Sequence, residues 1–173
     1  MHQQGFSLLD LITSTCIISI LFFAGLPGLF HQVQNNKTKT FSQSLMGAIE
    51  FTRERAVSAN KRTTLRRQIR WEDGWEIFFD TNENGIKDST EEALVVQPAS
   101  DGIKIKTNNP VDEYISFIGT GESRKADSHP GGAFLAGSIS ICAISPGKGY
   151  KLILARGGRL RMTELSSAEC ATI

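Results

Sequence analysis

Residues 1–30 read MHQQGFSLLDLITSTCIISILFFAGLPGLF, and from Phe6 to Phe30 almost every position except Asp10 is apolar, small or hydroxylic. Such a stretch is long enough to cross a bilayer as a helix. A carboxylate in that setting is costly, and it marks a function or a waiting partner. The residues before Phe6 include no Lys or Arg, and no small-x-small cleavage pattern follows the run, so it is not an ordinary secretory signal. The basic flank that orients a plain signal anchor is also missing.

The helical pattern does not stop at Phe30. Pro27 predicts a kink and Gly25 and Gly28 loosen the chain there, which helices in apolar surroundings tolerate. Beyond it, Val33, Phe41, Leu45, Ala48, Ile49, Thr52 and Ala56 fall on one stripe at helical spacing, opposite Gln34, Lys39, Gln43, Glu50 and Arg53. The sequence therefore predicts one long helix from Phe6 to about Asn60, apolar all round over 6–30 and amphipathic over 31–60. Only the rest of the chain is available to cover the amphipathic half. Residues 61–173 read as strands at 63–70, 75–80, 94–97, 103–107, 114–118, 138–144, 150–155 and 159–164, separated by turn clusters such as NENG, NNP and SPGKG. The stretch 119–137 is expected as a loop, and Trp71 and Trp75, astride Asp73-Gly74, are expected to pack across a hairpin.

A chain of 173 residues that is 40% apolar and 21% charged has room for one such segment and one globular domain. The net charge of +1 conceals segregation. KRTTLRRQIR at 61–70 is purely basic, 72–92 is strongly acidic, and 148–161 is basic again, so local fields outweigh the total. Of the three cysteines, Cys16 lies in the apolar run. Cys142 and Cys170 read as a disulfide if the domain is exported; the alternative is two unpaired thiols, with Cys142 buried in the strand SISICAI.

Gly5-Phe6-Ser7-Leu8-Leu9-Asp10 resembles the class III signal of type IV pilins and pseudopilins. The run from Trp71 to Glu91, the phenylalanine strand leading to Gly119, the strand Ser140-Ile141-Cys142 and a late G-R-x-R extend that resemblance to the GspH/FimT family over nearly the whole chain. Pro27 sits where the family places its kinking proline. The family usually has Glu where this chain has Asp10, and a Lys or Arg before the glycine. The resemblance implies a leader peptide of residues 1–5, cleavage after Gly5 by a prepilin peptidase and methylation of the Phe6 amine. It also implies that Asp10 meets the amine of a neighbouring subunit during assembly. The fold implied is α+β and pilin-like, a long N-terminal helix packed against an antiparallel β-rich head. The location implied is the inner membrane, single-pass with a periplasmic head, and then a pilus fibre at the cell surface.

Two constellations stand out in the head. DTNENGIKDSTE fits the calcium-loop template D-x-[DN]-x-[DN]-G-x5-E, with Asp80, Asn82, Asn84 and Glu91 as candidate ligands and Asp88 assisting. The helices that flank such a loop in an EF-hand are missing, and the same residues suit a turn with Asx bonds. Calcium is the one cofactor candidate. Gly158-Arg159-Leu160-Arg161, with Arg156, Lys148 and Lys151 nearby, places two guanidinium groups on one face of a strand, an arrangement that suits successive phosphates. It resembles the G-R-x-R of FimT proteins acting in natural transformation, which implies double-stranded DNA as a partner beside other major and minor pilins. Lys61, Arg62, Arg66, Arg67 and Arg70 are expected to form a second basic surface, unless the acidic stretch neutralises them. The three histidines are scattered and no phosphate loop or nucleophile motif is present, so the expectation is a non-enzyme. The competing class is a purely structural or priming subunit of a pilus or a type II secretion pseudopilus.

Overall fold

The computed structural model describes residues 7–127, 131–144 and 147–173, and side chains throughout these except at 24–31. Helix α1 spans Leu8–Ala59. Ser7 caps its start, and the Asp10 carboxylate returns to accept from the Ser7 N–H at 3.3 Å, closing a capping box. The hydroxyls of Thr13, Ser14, Thr15 and Ser19 donate to carbonyls one turn back, at 2.7–3.0 Å for the i−4 partner. This part of the helix thus satisfies its own polar groups. Asn60, in the left-handed conformation, ends it by donating its N–H to Ala56 and Val57.

Eight strands follow, β1 (Thr63–Arg67), β2 (Trp75–Phe79), β3 (Ala93–Gln97), β4 (Ile103–Thr107), β5 (Tyr114–Phe117), β6 (Gly137–Ala143), β7 (Gly149–Leu154) and β8 (Leu160–Leu165). They form two antiparallel four-stranded sheets in the orders β3-β2-β1-β5 and β4-β6-β7-β8. A short helix α2, Ser167–Cys170, closes the chain. The first strand stops three residues before its expected end, because the chain turns through a 3-10 segment at Trp71–Asp73 that terminates at Gly74. Within 119–137, Ser123 and Arg124 make bridges to Phe117 and Phe134, so the expected loop is partly tied down.

Alternation along the strands places Leu65, Ile77, Ile115, Ile139, Ile141 and Leu152 against α1, all at most 2% exposed. The helix supplies Phe41, Leu45, Ile49 and Ala56 as expected, but its stripe is more polar than the apolar pattern suggests. Thr38, Ser42 and Thr52 are fully buried, their hydroxyls bonded to Gln34, Thr38 and Ala48 carbonyls. Val33, placed on the stripe by spacing, is 53% exposed because it lines an open groove against 97–101 instead of packing into the core. Trp71 and Trp75 are both buried, though not against one another: the Trp71 indole donates to the Asp112 carbonyl at 2.9 Å, and Trp75 meets Phe41 edge-on at 5.5 Å. Among the described residues no helix is long and apolar enough to cross a membrane; the described side chains of the expected span are those of 7–23, all exposed.

Leu45 and Ile49 have no solvent into which to relax, so Leu45→Ala or Ile49→Ala should destabilise the head by about 2–5 kcal/mol, against less than about 0.5 kcal/mol for Val33→Ala. Urea midpoints of the three variants check this; equal losses would mean that α1 is not the core of the head.

Candidate nucleic-acid interface

The hairpin between β7 and β8 carries the G-R-x-R motif. Ala155 N–H donates to the Arg159 carbonyl and Gly158 N–H to the Ala155 carbonyl, both at 2.9 Å. Gly158 adopts φ +77° and lies so close to the Gly121 carbonyl that a Cβ there would collide with it, so the motif's glycine is required by backbone and space alike. The buried Ser123 hydroxyl lies within 3.1 and 3.2 Å of the Ala155 and Arg156 carbonyls, and Arg53 Nε donates to the Gly121 carbonyl at 2.9 Å. The turn is thereby held against the head with its cations outward. Leu160 points to the core while Arg159 and Arg161 on either side are exposed, as is Arg156 at the tip. Among the described residues none of these three arginines has an ion-pair partner. Glu50 and Glu54 of α1 border the same groove as Arg159, which partly offsets its field.

Lys148 behaves differently, pairing with Glu164 at 3.4 Å. Lys151 lies on the outer face of the second sheet, and the register brings it company that the linear sequence does not reveal. Lys106 is opposite Ser140, Ser140 opposite Lys151, and Ile153 opposite Arg161. Lys104, Lys106, Lys151 and Arg161 therefore share one face, in rows about 4.8 Å apart between strands and about 7 Å along them. Lys104 and Lys106 were missed; the alternation KIK signals an exposed basic face, but only strand order reveals that it adjoins the arginines. Cys142 and Cys170 form a disulfide, with Cα atoms 5.7 Å apart. It pins α2 to this outer face, where Lys106 Nζ donates to the Thr172 carbonyl at 3.3 Å.

The second basic surface expected from 61–70 forms only in part: Lys61 is exposed, over the Phe79 ring, and Arg67 is half-buried, both without ion pairs among the described residues, while the other three are tied up. Arg62 is only 5% exposed, and its guanidinium bonds Ser116, Lys125 and Glu83. Arg66 bonds the Gly85 carbonyl and Glu113, and Arg70 bonds Asp73. Glu83 and Asp73 of the acidic stretch, with Glu113 beyond it, pair three of these five cations.

The calcium-template residues do come together in one loop, but their acceptors face the loop's own donors. Asp80, 1% exposed, accepts from Thr64 Oγ1 and from the backbone N–H groups of Asn84 and Gly85, at 2.9–3.0 Å. Glu91 accepts from Thr81 N–H and Asp88 N–H, while Asn82 and Asn84 donate to Asp88. Among the described residues no group of three or more His, Cys, Asp or Glu side chains is disposed to hold a metal. Gly5 and Phe6 lie outside the described residues.

A long capped helix laid across two antiparallel sheets, with a disulfide-closed C-terminal end, defines a pilin-like α+β protein. The family model "Type II transport protein GspH" matches residues 42–158, and the chain belongs to that family. Among solved structures, the Pseudomonas aeruginosa type IV minor pilin FimU is similar in two crystal forms. One has a TM-score of 0.56 at 18% identity, covering 77% of this chain and 91% of that one; the other has 0.54 at 18%, covering 75% and 94%. The minor pseudopilin EpsH of the Vibrio cholerae type 2 secretion system has a TM-score of 0.52 at 14% identity, covering 73% of this chain and 96% of that one. No curated protein sequence matches the chain.

Burial raises the Asp80 carboxyl above the usual aspartate range, overriding its three donors. A raised acid favours the fold below its unfolded value and loses that contribution as pH rises through the folded one. The stability of the native chain relative to Asp80→Asn should therefore increase as pH is lowered through the aspartate range. Glu169 has the opposite sign: bonds from Ser166 hold it low, so its contribution is present above the glutamate range and fades as pH falls. Urea midpoints of the native chain, Asp80→Asn and Glu169→Gln between pH 3 and 7 read both slopes; parallel curves would refute the assignments.

Proposed function

We propose that this chain is a minor pilin of a type IV pilus that binds extracellular double-stranded DNA without sequence specificity during natural transformation. The observation that carries the reading is the set of exposed arginines, Arg156, Arg159 and Arg161, without ion pairs among the described residues, on a hairpin adjoining Lys104, Lys106 and Lys151. Guanidinium and ammonium groups at these spacings suit a phosphate backbone, and among the described residues no aromatic platform or groove reader accompanies them, so contacts are to phosphate and not to base edges. Binding by one subunit is weak, and several subunits or repeated encounters supply avidity.

The rest of the life cycle follows from the signal. A prepilin peptidase cuts after Gly5 and methylates Phe6, the apolar helix rests in the inner membrane, and assembly carries the periplasmic head to the cell-surface fibre. Asp10 then faces the new amine of a neighbouring pilin, since a carboxylate in an apolar core is tolerable when a cation meets it. A second reading, a structural or priming subunit of a pilus or pseudopilus, is favoured by the names of the similar structures, a minor pilin and a minor pseudopilin. The 80–91 loop acts as a turn closed by Asx bonds, with calcium at most a weak addition.

The full chain in detergent, titrated with a labelled duplex of unrelated sequence at several salt concentrations, decides between the readings. Log affinity should fall with log salt, each neutralised phosphate contributing a slope of about 0.9, and Arg159→Ala/Arg161→Ala should lower that slope by about 2. No binding at low salt would leave the structural subunit.

A further inference from the structure

The four free edges of the two sheets are not alike. β4 carries Lys104 and Lys106, and its Ile105 N–H is taken by Glu72 Oε1 at 3.0 Å. β5 is covered by residues 123–124, through the Phe117–Ser123 bridge and the bond from Arg124 N–H to the Ser116 carbonyl. β8 carries Arg161 and Glu164. β3, ALVVQ, carries no charge, and among the described residues no backbone bond outside its ladder with β2 reaches 93–97. Proteins guard such edges with charge, proline or cover, and an apolar edge left open is a template for a further strand.

The floor beside this edge is open too. Two adjoining grooves follow about 27 Å of α1, a mixed one from Val33 to Ser44 against 97–101, with Asn36, Lys37 and Asp101 beside Phe41, and a more apolar one from Ser44 to Phe51 against β2–β3, walled by Trp75, Ile77 and Val95. Gly47 stands in the middle of the second. A glycine inside a helix weakens that helix, and here no positive φ calls for one and nothing lies within 4 Å of where its Cβ would be. Its smallness serves no contact within the chain. On the other side of the edge, Glu76 lies opposite the exposed Val96, and Glu92 precedes the strand.

We infer that β3 is the docking edge for an extended segment of a neighbouring pilin subunit, which adds to the first sheet as a further strand, sets apolar side chains into the groove over Gly47 and reaches a basic side chain across Val96 toward Glu76. The open backbone row specifies a strand, the apolar groove one face of it, and the unpaired acids the other. That the partner is a pilin rests on the minor-pilin reading; it does not depend on DNA binding.

The test uses the full chain in two states, solubilised in detergent and in sheared surface fibres, with amide exchange followed at 93–97 and, as control, at 103–107. The expected result is protection of 93–97 in fibres alone, at least about tenfold slower exchange, with 103–107 unchanged. Val96→Lys should lower incorporation about tenfold while leaving the melting temperature of the solubilised chain unchanged, and Glu76→Lys should lower it less. Gly47→Ala should raise that melting temperature, since its methyl meets nothing. Equal exchange of 93–97 in both states overturns the proposal. Loss of incorporation in Gly47→Leu with 93–97 unprotected would place a helix in the groove and also overturn the strand. Absence of the native chain from fibres overturns the minor-pilin reading, and duplex titration then stands as a separate result.

Discussion

The structure depends on one burial: the stripe of α1 from Phe41 to Ala56, which the inner faces of both sheets cover. A helix apolar on one side needs a partner, and a sheet with alternating faces needs the same. Here a single helix serves two sheets, so each sheet's inner residues lie within one continuous core. The consequence is directional. Inner faces are spent on the helix, and whatever the protein does outwardly is done by outer faces, hairpins and edges.

The outer faces have opposite characters for a physical reason. On the first sheet, Arg62, Asp80 and Glu91 are drawn into a polar layer beneath the 80–91 loop and hydrogen-bonded there, with the buried Arg62 Nε left over. On the second sheet the lysines and arginines stay in water, and the disulfide-pinned tail covers only part of them. Arginines are more abundant in 61–70 than in the tail, four against three, yet the tail's three are all exposed and free of ion pairs among the described residues, whereas Arg62, Arg66 and Arg70 are held by Glu83, Glu113 and Asp73. Counting charges along the chain does not distinguish the two cases.

Asp10 has a local use, whatever it meets in an assembly. Its carboxylate completes the capping box of α1, and the hydroxyls that follow return to the helix backbone. A helix that answers its own polar groups is equipped for apolar surroundings.

The long helix, all eight strands and the exposure of Arg159 and Arg161 were legible in the sequence, because each rests on a local period or a short-range turn signal, whereas the Cys142–Cys170 pairing stayed conditional on export until the fold brought the two together. Val33 was misplaced on the buried stripe, since periodicity identifies a face but not where the covering domain leaves a groove in it. Buried Thr38 and Ser42 were hidden because a hydroxyl that bonds its own helix looks polar in sequence and behaves as apolar in packing. The fate of Arg62 and Arg66, the company of Lys104 and Lys106 beside Arg161, and the open edge of β3 were decided by tertiary structure alone. Each depends on which strand lies next to which, and strand order arises from long-range pairing that no local pattern encodes.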